Sequence, residues 1–289
     1  MILSSKTMLV YNRILLELKT KFDAPDLKYL KDTEAVISYI EGLDKSFASR
    51  KLYYACLVSV LRDLKIGRTK LLRQAEEIYR CKMVEYNTKL SEIAQQQTMT
   101  PREVGLWLEW EEVLEAHQKL KSEAEANLAD KKIWLEYVVL SLYVLLPPLR
   151  SDWSPVRVSE SEDAQPDNKL VVSPEEIVFV LQAYKTSKQY GIQRIVIPTG
   201  LNAILRHWLT LETSGFLFSL RGLPCSESWL SGKVRSTLKR MTGKSAGINI
   251  LRHSYISFRR RGEAPLLQQN SLASSMMHSV GMSQMYRRL

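Results

Sequence analysis

The run INILRHSYISFRRR, residues 248–261, decides how the rest of the chain is read. Leu251, Ser254, Tyr255 and Phe258 fall at i, i+3, i+4 and i+7, the spacing of one buried face of an α-helix. Asn249 and Arg252 lie three apart on a neighbouring face, so the spacing directs both side chains toward one spot. A guanidinium held beside a buried face and an amide suits a phosphate oxygen, because it presents a rigid fork of donors and a permanent charge. Taken alone, the same pattern also describes a surface arginine beside the basic run Arg259, Arg260, Arg261.

The whole chain has 289 residues, 45% of them hydrophobic, enough for one large domain or two ordinary ones with real cores. Its 41 Lys and Arg outnumber its 31 Asp and Glu, a net charge of +10, the electrostatic footprint of a nucleic-acid or other anionic partner. Cys56, Cys81 and Cys225 are widely separated and form no CxxC pair or metal spacing with the four histidines. A reduced, intracellular protein without a metal is therefore expected. The longest apolar run, Trp134 to Leu146, contains Glu136 and is too short to cross a bilayer. The opening MILSSKTMLVYNR lacks the basic-then-apolar layout of a signal peptide, so neither export nor a membrane is expected.

The first hundred residues read as helices. Tyr11, Leu15 and Leu18 share one face, as do Val36, Ile40 and Leu43, then Tyr53, Leu57, Val60, Leu61 and Leu64, then Tyr79, Met83, Tyr86 and Leu90. Thr100-Pro101-Arg102-Glu103 is a capping box with proline at the first helical position, and it marks a boundary between domains 1–99 and 100–289. The helix it opens is read through Leu106, Trp107, Trp110, Val113 and Leu114, and a second apolar helix runs from about Ile133 to Leu146. Pro147-Pro148 stops that helix, and Arg150-Ser-Asp152-Trp follows at once. Strands are expected in WSPVRV, IVFVLQAY (177–184) and QRIVIP (193–198), with a short GFLF strand at Phe216. KTSKQYGI forms a hairpin-like connection, and SESEDAQPDN (159–168) reads as an exposed acidic loop. Helical patterning then returns from about Leu201. The fold class expected is mainly α with a small antiparallel β-sheet.

Several residues could act with Arg252. Arg150 sits at a proline-terminated helix end, Lys185 at the end of a strand entering a turn, and His278-Ser279 lies upstream of Tyr286 in MMHSVGMSQMYRRL (276–289). With Asn249 the inventory is two arginines, a lysine, a histidine, an amide and a tyrosine. There is no catalytic acid pair, no Gly-rich phosphate loop and no carboxylate cluster for magnesium. Such a set stabilises a phosphate anion without a cofactor and supplies one oxygen nucleophile.

LPPLRSDW, AYKTSKQYG followed by IVIP, INILRHSYIS and MMHSVGMSQMYRRL occur in the order seen in one family. Through these four motifs the chain resembles the tyrosine recombinases, the phage-integrase-like strand-transfer enzymes, and particularly those of eukaryotic DNA viruses and mobile elements. The motifs cover about residues 100–289, and the first domain matches only as a helical DNA-clamping domain. The resemblance implies that Arg150 and Arg252 grip the non-bridging oxygens of a scissile phosphate, where the transition state gathers charge. It implies that Lys185 protonates the departing 5′ oxygen and that His278 hydrogen-bonds the phosphate and helps position the nucleophile. Tyr286 would attack to give a 3′-phosphotyrosyl link, which a second 5′ hydroxyl reseals without ATP. The implied partner is double-stranded DNA, with a dimer on each site and a tetramer in the synapse.

Two departures stand out. Asn249 occupies a place where the family has His or Lys; its amide can donate to phosphate but cannot accept a proton. Either the chemistry is slower for it or that proton role falls to His253 beside Arg252, and His253 is read first as a residue that packs or orients the helix. Arg287, Arg288 and Leu289 are too few for the further helix that many relatives dock on a neighbouring protomer. Lys188 is the alternative to Lys185. His117 and His207 are read as structural or exposed residues without partners, and Trp107, Trp110 and Trp134 as core. Arg259, Arg260, Arg261, Lys233, Arg235, Lys239 and Arg240 are read as phosphate-backbone contacts, or else as a solvated face. The rival functions are a telomere resolvase or type IB topoisomerase using the same chemistry, and a catalytically silent DNA-binding protein.

Overall fold

The computed structural model describes residues 5–24, 26–63, 69–96 and 99–261. They belong to two compact units, Met1–Gln97 and Thr98–Leu289. The architecture is mainly α-helical, with one four-stranded sheet and one two-stranded ribbon among the described residues.

The first unit holds α1 (Ser5–Lys21), a 3-10 turn (Lys28–Lys31), α2 (Thr33–Gly42), α3 (Phe47–Asp63) and α4 (Lys70–Gln96). Asp32 caps α2, its carboxylate accepting the Ala35 N–H at 3.1 Å. Leu18, Leu30, Ile40, Leu57 and Leu61 are fully shielded from solvent. On α1 the buried line is Ile14 and Leu18, whereas Tyr11 and Leu15 are only half-buried, so the face is rotated from the one read in the sequence. Tyr54 of α3 stacks between Tyr79 and Tyr86 of α4, at ring-centroid distances of 6.4 and 5.9 Å. The Tyr54 hydroxyl donates to Glu41 at 2.7 Å and the Tyr79 hydroxyl to the Leu30 carbonyl at 2.9 Å, which satisfies both polar tips inside the core.

The second unit opens with α5 (Pro101–Leu106), under the expected capping box of Thr100 and Glu103. The single helix read through Trp107 and Trp110 is in fact two. Trp107 is extended, and a second capping box, Glu109 with Glu112, starts α6 (Trp110–Ala126). Glu109 serves this break twice, because it also accepts the Trp107 indole N–H at 2.9 Å. All three tryptophans, Trp107, Trp110 and Trp134, are buried. α7 (Lys131–Val144) packs along α6 and ends ahead of the double proline.

The sheet follows: β1 (Arg157–Ser159), β2 (Lys169–Val172), β3 (Ile177–Leu181) and β4 (Gln193–Val196), in spatial order 1-2-3-4. β2–β3 and β3–β4 are antiparallel, but β1 pairs with β2 in parallel, Arg157 opposite Lys169. β2 had no reading in the sequence, since it follows directly on the acidic loop. That loop explains the parallel pairing. Lys169, with no exposed surface, donates to Asp163 Oδ1 at 2.5 Å and to the carbonyls of Asp163 and Gln165 at 2.9 and 3.0 Å. Arg157 donates to Asp163 and Asp167 from the other strand, at 2.6 and 2.8 Å. The loop is exposed over most of its length, yet its acids are anchored and its chain is carried back beside β1.

The connection from β3 to β4 contains one helical turn, α8 (Ser187–Tyr190), closed by Gly191 at φ +66°, a left-handed conformation that a side chain would strain. α9 (Thr199–Leu211) comes next. Phe216 makes an isolated bridge to Arg157 and is not in a strand. The ribbon lies just beyond it, β5 (Ser219–Leu220) and β6 (Leu223–Pro224), turning through Arg221 and Gly222 at φ 53° and 78°. α10 (Glu227–Thr242) and α11 (Ile248–Arg260) complete the described unit. Leu251, Ser254, Tyr255 and Phe258 are all buried, as their spacing in the opening run requires.

Candidate functional site

Arg150 stands on a turn pinned from several sides. The Tyr143 hydroxyl of α7 donates to the Arg150 carbonyl at 2.9 Å, and the Arg150 N–H donates to Asp152 Oδ2 at 3.2 Å. Trp153 is fully buried and stacks on Phe179 of β3 at 4.1 Å, and the Ser154 hydroxyl donates to the Cys225 carbonyl. The Arg150 side chain itself is half-exposed and forms no ion pair among the described residues.

Arg252, the fifth residue of α11, is no surface arginine. It is 7% exposed, and its Nε–H donates to the Pro148 carbonyl at 3.3 Å. Burial, followed by repulsion from Arg150, brings the guanidinium down to about 10, against the pull of Asp152 and Tyr143. Burial pushes the Asp152 carboxyl up, opposed by Arg150 and Arg252. The fold thus concentrates two guanidinium charges around one carboxylate in a poorly solvated place. An anion arriving there relieves both the desolvation and the repulsion.

A cleft of about 1020 Å³ adjoins this turn, lined by Arg150, Arg102, Arg235 and Asn249 among others. The N-terminus of α11 opens into it. Gly247 is the N-cap and offers no side chain to the first N–H groups, and a Cβ placed on Gly247 would lie 3.8 Å from Arg235 Nη2. Uncapped N–H groups and the positive end of the helix dipole both favour an anion there. Asn249 is exposed beside them.

The structure therefore brings Arg150 together with Arg252, and Arg150 together with Asn249. Lys185 is exposed on the β3–α8 connection and does not line the cleft; Lys188, on α8, is exposed as well. His253 is half-buried. His278 and Tyr286 lie outside the described residues. No group of three or more His, Cys, Asp and Glu side chains among the described residues is placed to hold a metal, and no described helix is long and apolar enough to cross a membrane.

Several basic residues read as phosphate contacts are engaged within the protein. Lys233 donates to Glu136 at 3.0 Å, and Arg240 to Glu136 at 2.7 Å and Glu123 at 2.9 Å. Against the upward pull of burial, these two cations hold the Glu136 carboxyl below its ordinary range. Arg261 reaches Glu109 at 3.3 Å. Arg235 and Lys239 are exposed and form no ion pair among the described residues.

His117 and His207 also have partners. Ser141 gives its proton to the Tyr137 carbonyl at 2.7 Å, so it must accept from His117 Nε2 at 2.8 Å, which fixes the tautomer. His207 lies against Trp134 at a ring distance of 3.9 Å and meets the Leu128 carbonyl at 3.0 Å. Tyr143 and Asn168, which organise the site, carry no motif signal; only their burial and bonding reveal them.

No protein-family model matches the chain, and no curated protein does. Among solved structures, the crystal structure of XerA recombinase is similar over 93% of this chain and 92% of its own, with a TM-score of 0.37 and 14% identity. A likeness that low establishes neither family nor activity, so function is argued from this chain's own residues.

Proposed function

We propose that this protein is a DNA strand-transfer enzyme of the tyrosine recombinase kind, a site-specific recombinase or integrase that cleaves and rejoins duplex DNA through a 3′-phosphotyrosyl link. The observation that carries the reading is the pairing of buried Arg252 with Arg150, two guanidiniums gathered in one poorly solvated place beside a cleft. The clustering of Asn249, Arg235 and the α11 N-terminus around the adjoining cleft supports an extended anion such as a DNA backbone.

In this reading the non-bridging oxygens of the scissile phosphate meet Arg150 and Arg252. Negative charge grows there as the pentacoordinate transition state forms, and donors already fixed by Tyr143, Asp152 and Pro148 need little reorganisation. Asn249 donates its amide to the same phosphate. Tyr286 attacks phosphorus as its phenolic proton passes to water, and His278 supports the attacked phosphate. The P–O5′ bond breaks, its electron pair passes to the 5′ oxygen, and Lys185 delivers the proton. Lys185 stands on a connecting arch, the kind of element that can move to the DNA when it binds. The helical first unit binds the same duplex, and protomers work as a dimer on each site and a tetramer in the synapse.

Asn249 favours one second reading, a DNA-binding protein that has lost the chemistry. Covalent trapping separates the two. Full-length protein is incubated without metal with a pool of nicked duplexes and run on a denaturing gel. The expected result is a DNA adduct that disappears in Tyr286→Phe and falls by about 10²–10³-fold in Arg150→Ala and Arg252→Ala, the loss typical of one missing transition-state donor. Tight duplex binding with no adduct on any member of the pool overturns the catalytic reading in favour of the silent one.

A further inference from the structure

We infer that Asn168 is the positioning residue for Lys185, fixing the end of β3 against the Arg150 turn so that the lysine reaches the leaving oxygen. The inference rests on the functional reading above and adds a residue that no motif marks.

Asn168 is 4% exposed and uses its whole side-chain amide on backbone groups. Its Nδ2 donates to the Asp152 carbonyl and to the Ala183 carbonyl, both at 3.1 Å. Its Oδ1 accepts the Gln182 N–H at 3.0 Å and the Ala183 N–H at 2.8 Å. One side chain therefore spans two segments far apart in sequence: the turn that bears Arg150 and Asp152, and the two residues that leave β3 just ahead of Tyr184 and Lys185. An aspartate could not make both donations, and a shorter residue could not reach both segments.

The two segments depend on this link unequally. The Arg150 turn keeps Tyr143, the Trp153–Phe179 stack and the Ser154 bond to Cys225 when Asn168 is removed. Gln182 and Ala183 lie past the last sheet pair, Leu181 with Gln193, and Asn168 takes both of their N–H groups and the Ala183 carbonyl. Loss of the amide therefore frees the root of the Lys185 arch and leaves the arginines in place. Asn168 is itself set firmly: its carbonyl accepts the Arg157 N–H at 3.0 Å, and its neighbour Lys169 is fully buried in the acidic loop.

Because the role concerns proton delivery, a substrate that needs no proton on its leaving group tests it. A 5′-bridging phosphorothiolate releases a thiolate, which needs no proton in order to depart because a thiol, titrating at about 8.5, is a far stronger acid than an alcohol. The full-length protein is assayed for adduct formation on a matched pair of oxygen- and sulfur-bridged duplexes, with DNA affinity and thermal melting measured alongside. Asn168→Ala is expected to cleave the oxygen substrate about 10²-fold slower, the scale of an ångström-sized misplacement, and to return to near wild-type rate on sulfur. Lys185→Ala should show the same rescue. Lys169→Met loosens the same loop without touching Gln182 or Ala183, so its sulfur-to-oxygen rate ratio should equal that of wild type. Asn168→Asp keeps the acceptor for the two N–H groups and serves if the alanine variant does not fold; its ratio should also rise.

A wild-type protein that forms no adduct removes the functional reading and this inference with it. Adduct formation with Lys185→Ala not rescued by sulfur removes Lys185 as the acid. Rescue of Lys185→Ala with equal losses on both substrates for the Asn168 variants overturns the inference alone.

Discussion

Replacing Arg252 by methionine should make the protein more stable while abolishing strand cleavage. The side chain is 7% exposed, and its guanidinium is brought well below the ordinary arginine range, to about 10, chiefly by burial. A drop of that size corresponds to about 3 kcal/mol of penalty on the charged form in the folded state. The sign follows from the direction: a base held below its unfolded value is charged in both states at neutral pH, so the penalty applies in full below the folded-state value and is relieved only above it. Methionine fills a similar volume without charge. Part of its cost is the hydrogen bond to the Pro148 carbonyl, about 1 kcal/mol. The net gain is at most about 2 kcal/mol, which for a unit of this size raises Tm by up to about 4–8 °C. Differential scanning calorimetry of the full chain measures the change, repeated with sulfate as a phosphate mimic. Sulfate should raise the wild-type Tm and narrow its gap to the variant, because only the wild type keeps the second guanidinium that binds it. A variant less stable than wild type by 2 kcal/mol or more, with no differential sulfate response, would refute the claim that burial strains this guanidinium and that an anion relieves it.

Two further outcomes follow from the charge network and the histidines. Arg235→Ala should weaken duplex binding and lower the slope of log affinity against log salt by about one, whereas Lys233→Ala, whose lysine is spent on Glu136, should leave the slope unchanged; fluorescence anisotropy titrations at several salt concentrations read both, and a reversed order would show that α10 presents a different face to DNA. Burial holds His117 down to about 4, so the folded state resists a proton that the unfolded chain accepts. Stability is full above pH 6.5 and declines by up to about 3 kcal/mol as pH falls through 4. His117→Gln should flatten that acid decline in urea titrations at pH 7 and 4.5, and equal losses in both proteins would mean that other groups drive it.

Much of this protein is written locally. The helices of both units, the capping box at Thr100, the stop at Pro147-Pro148 and the buried face of α11 follow from short-range periodicity and backbone chemistry, which act within a few residues and need no distant partner. The candidate residues Arg150, Asn249 and Arg252 were legible for the same reason, since their spacing and flanking residues mark them. Charge gave the class of partner to expect and no more.

What the sequence could not decide was where each cation would spend its charge. Lys233, Arg240 and Arg235 look alike along α10, yet two of them meet carboxylates on α6 and α7 and the third faces a cleft. β2 and its parallel pairing depend on a fully buried Lys169 gathering the acids of a loop that reads as solvated. Arg252 is a buried guanidinium only because the Pro148 turn and Arg150 are folded against it from about a hundred residues away. Periodicity and propensity are properties of neighbours in the chain, whereas desolvation, ion pairing and the reach of an amide such as Asn168 across two segments are properties of neighbours in space. Tertiary structure alone supplies those.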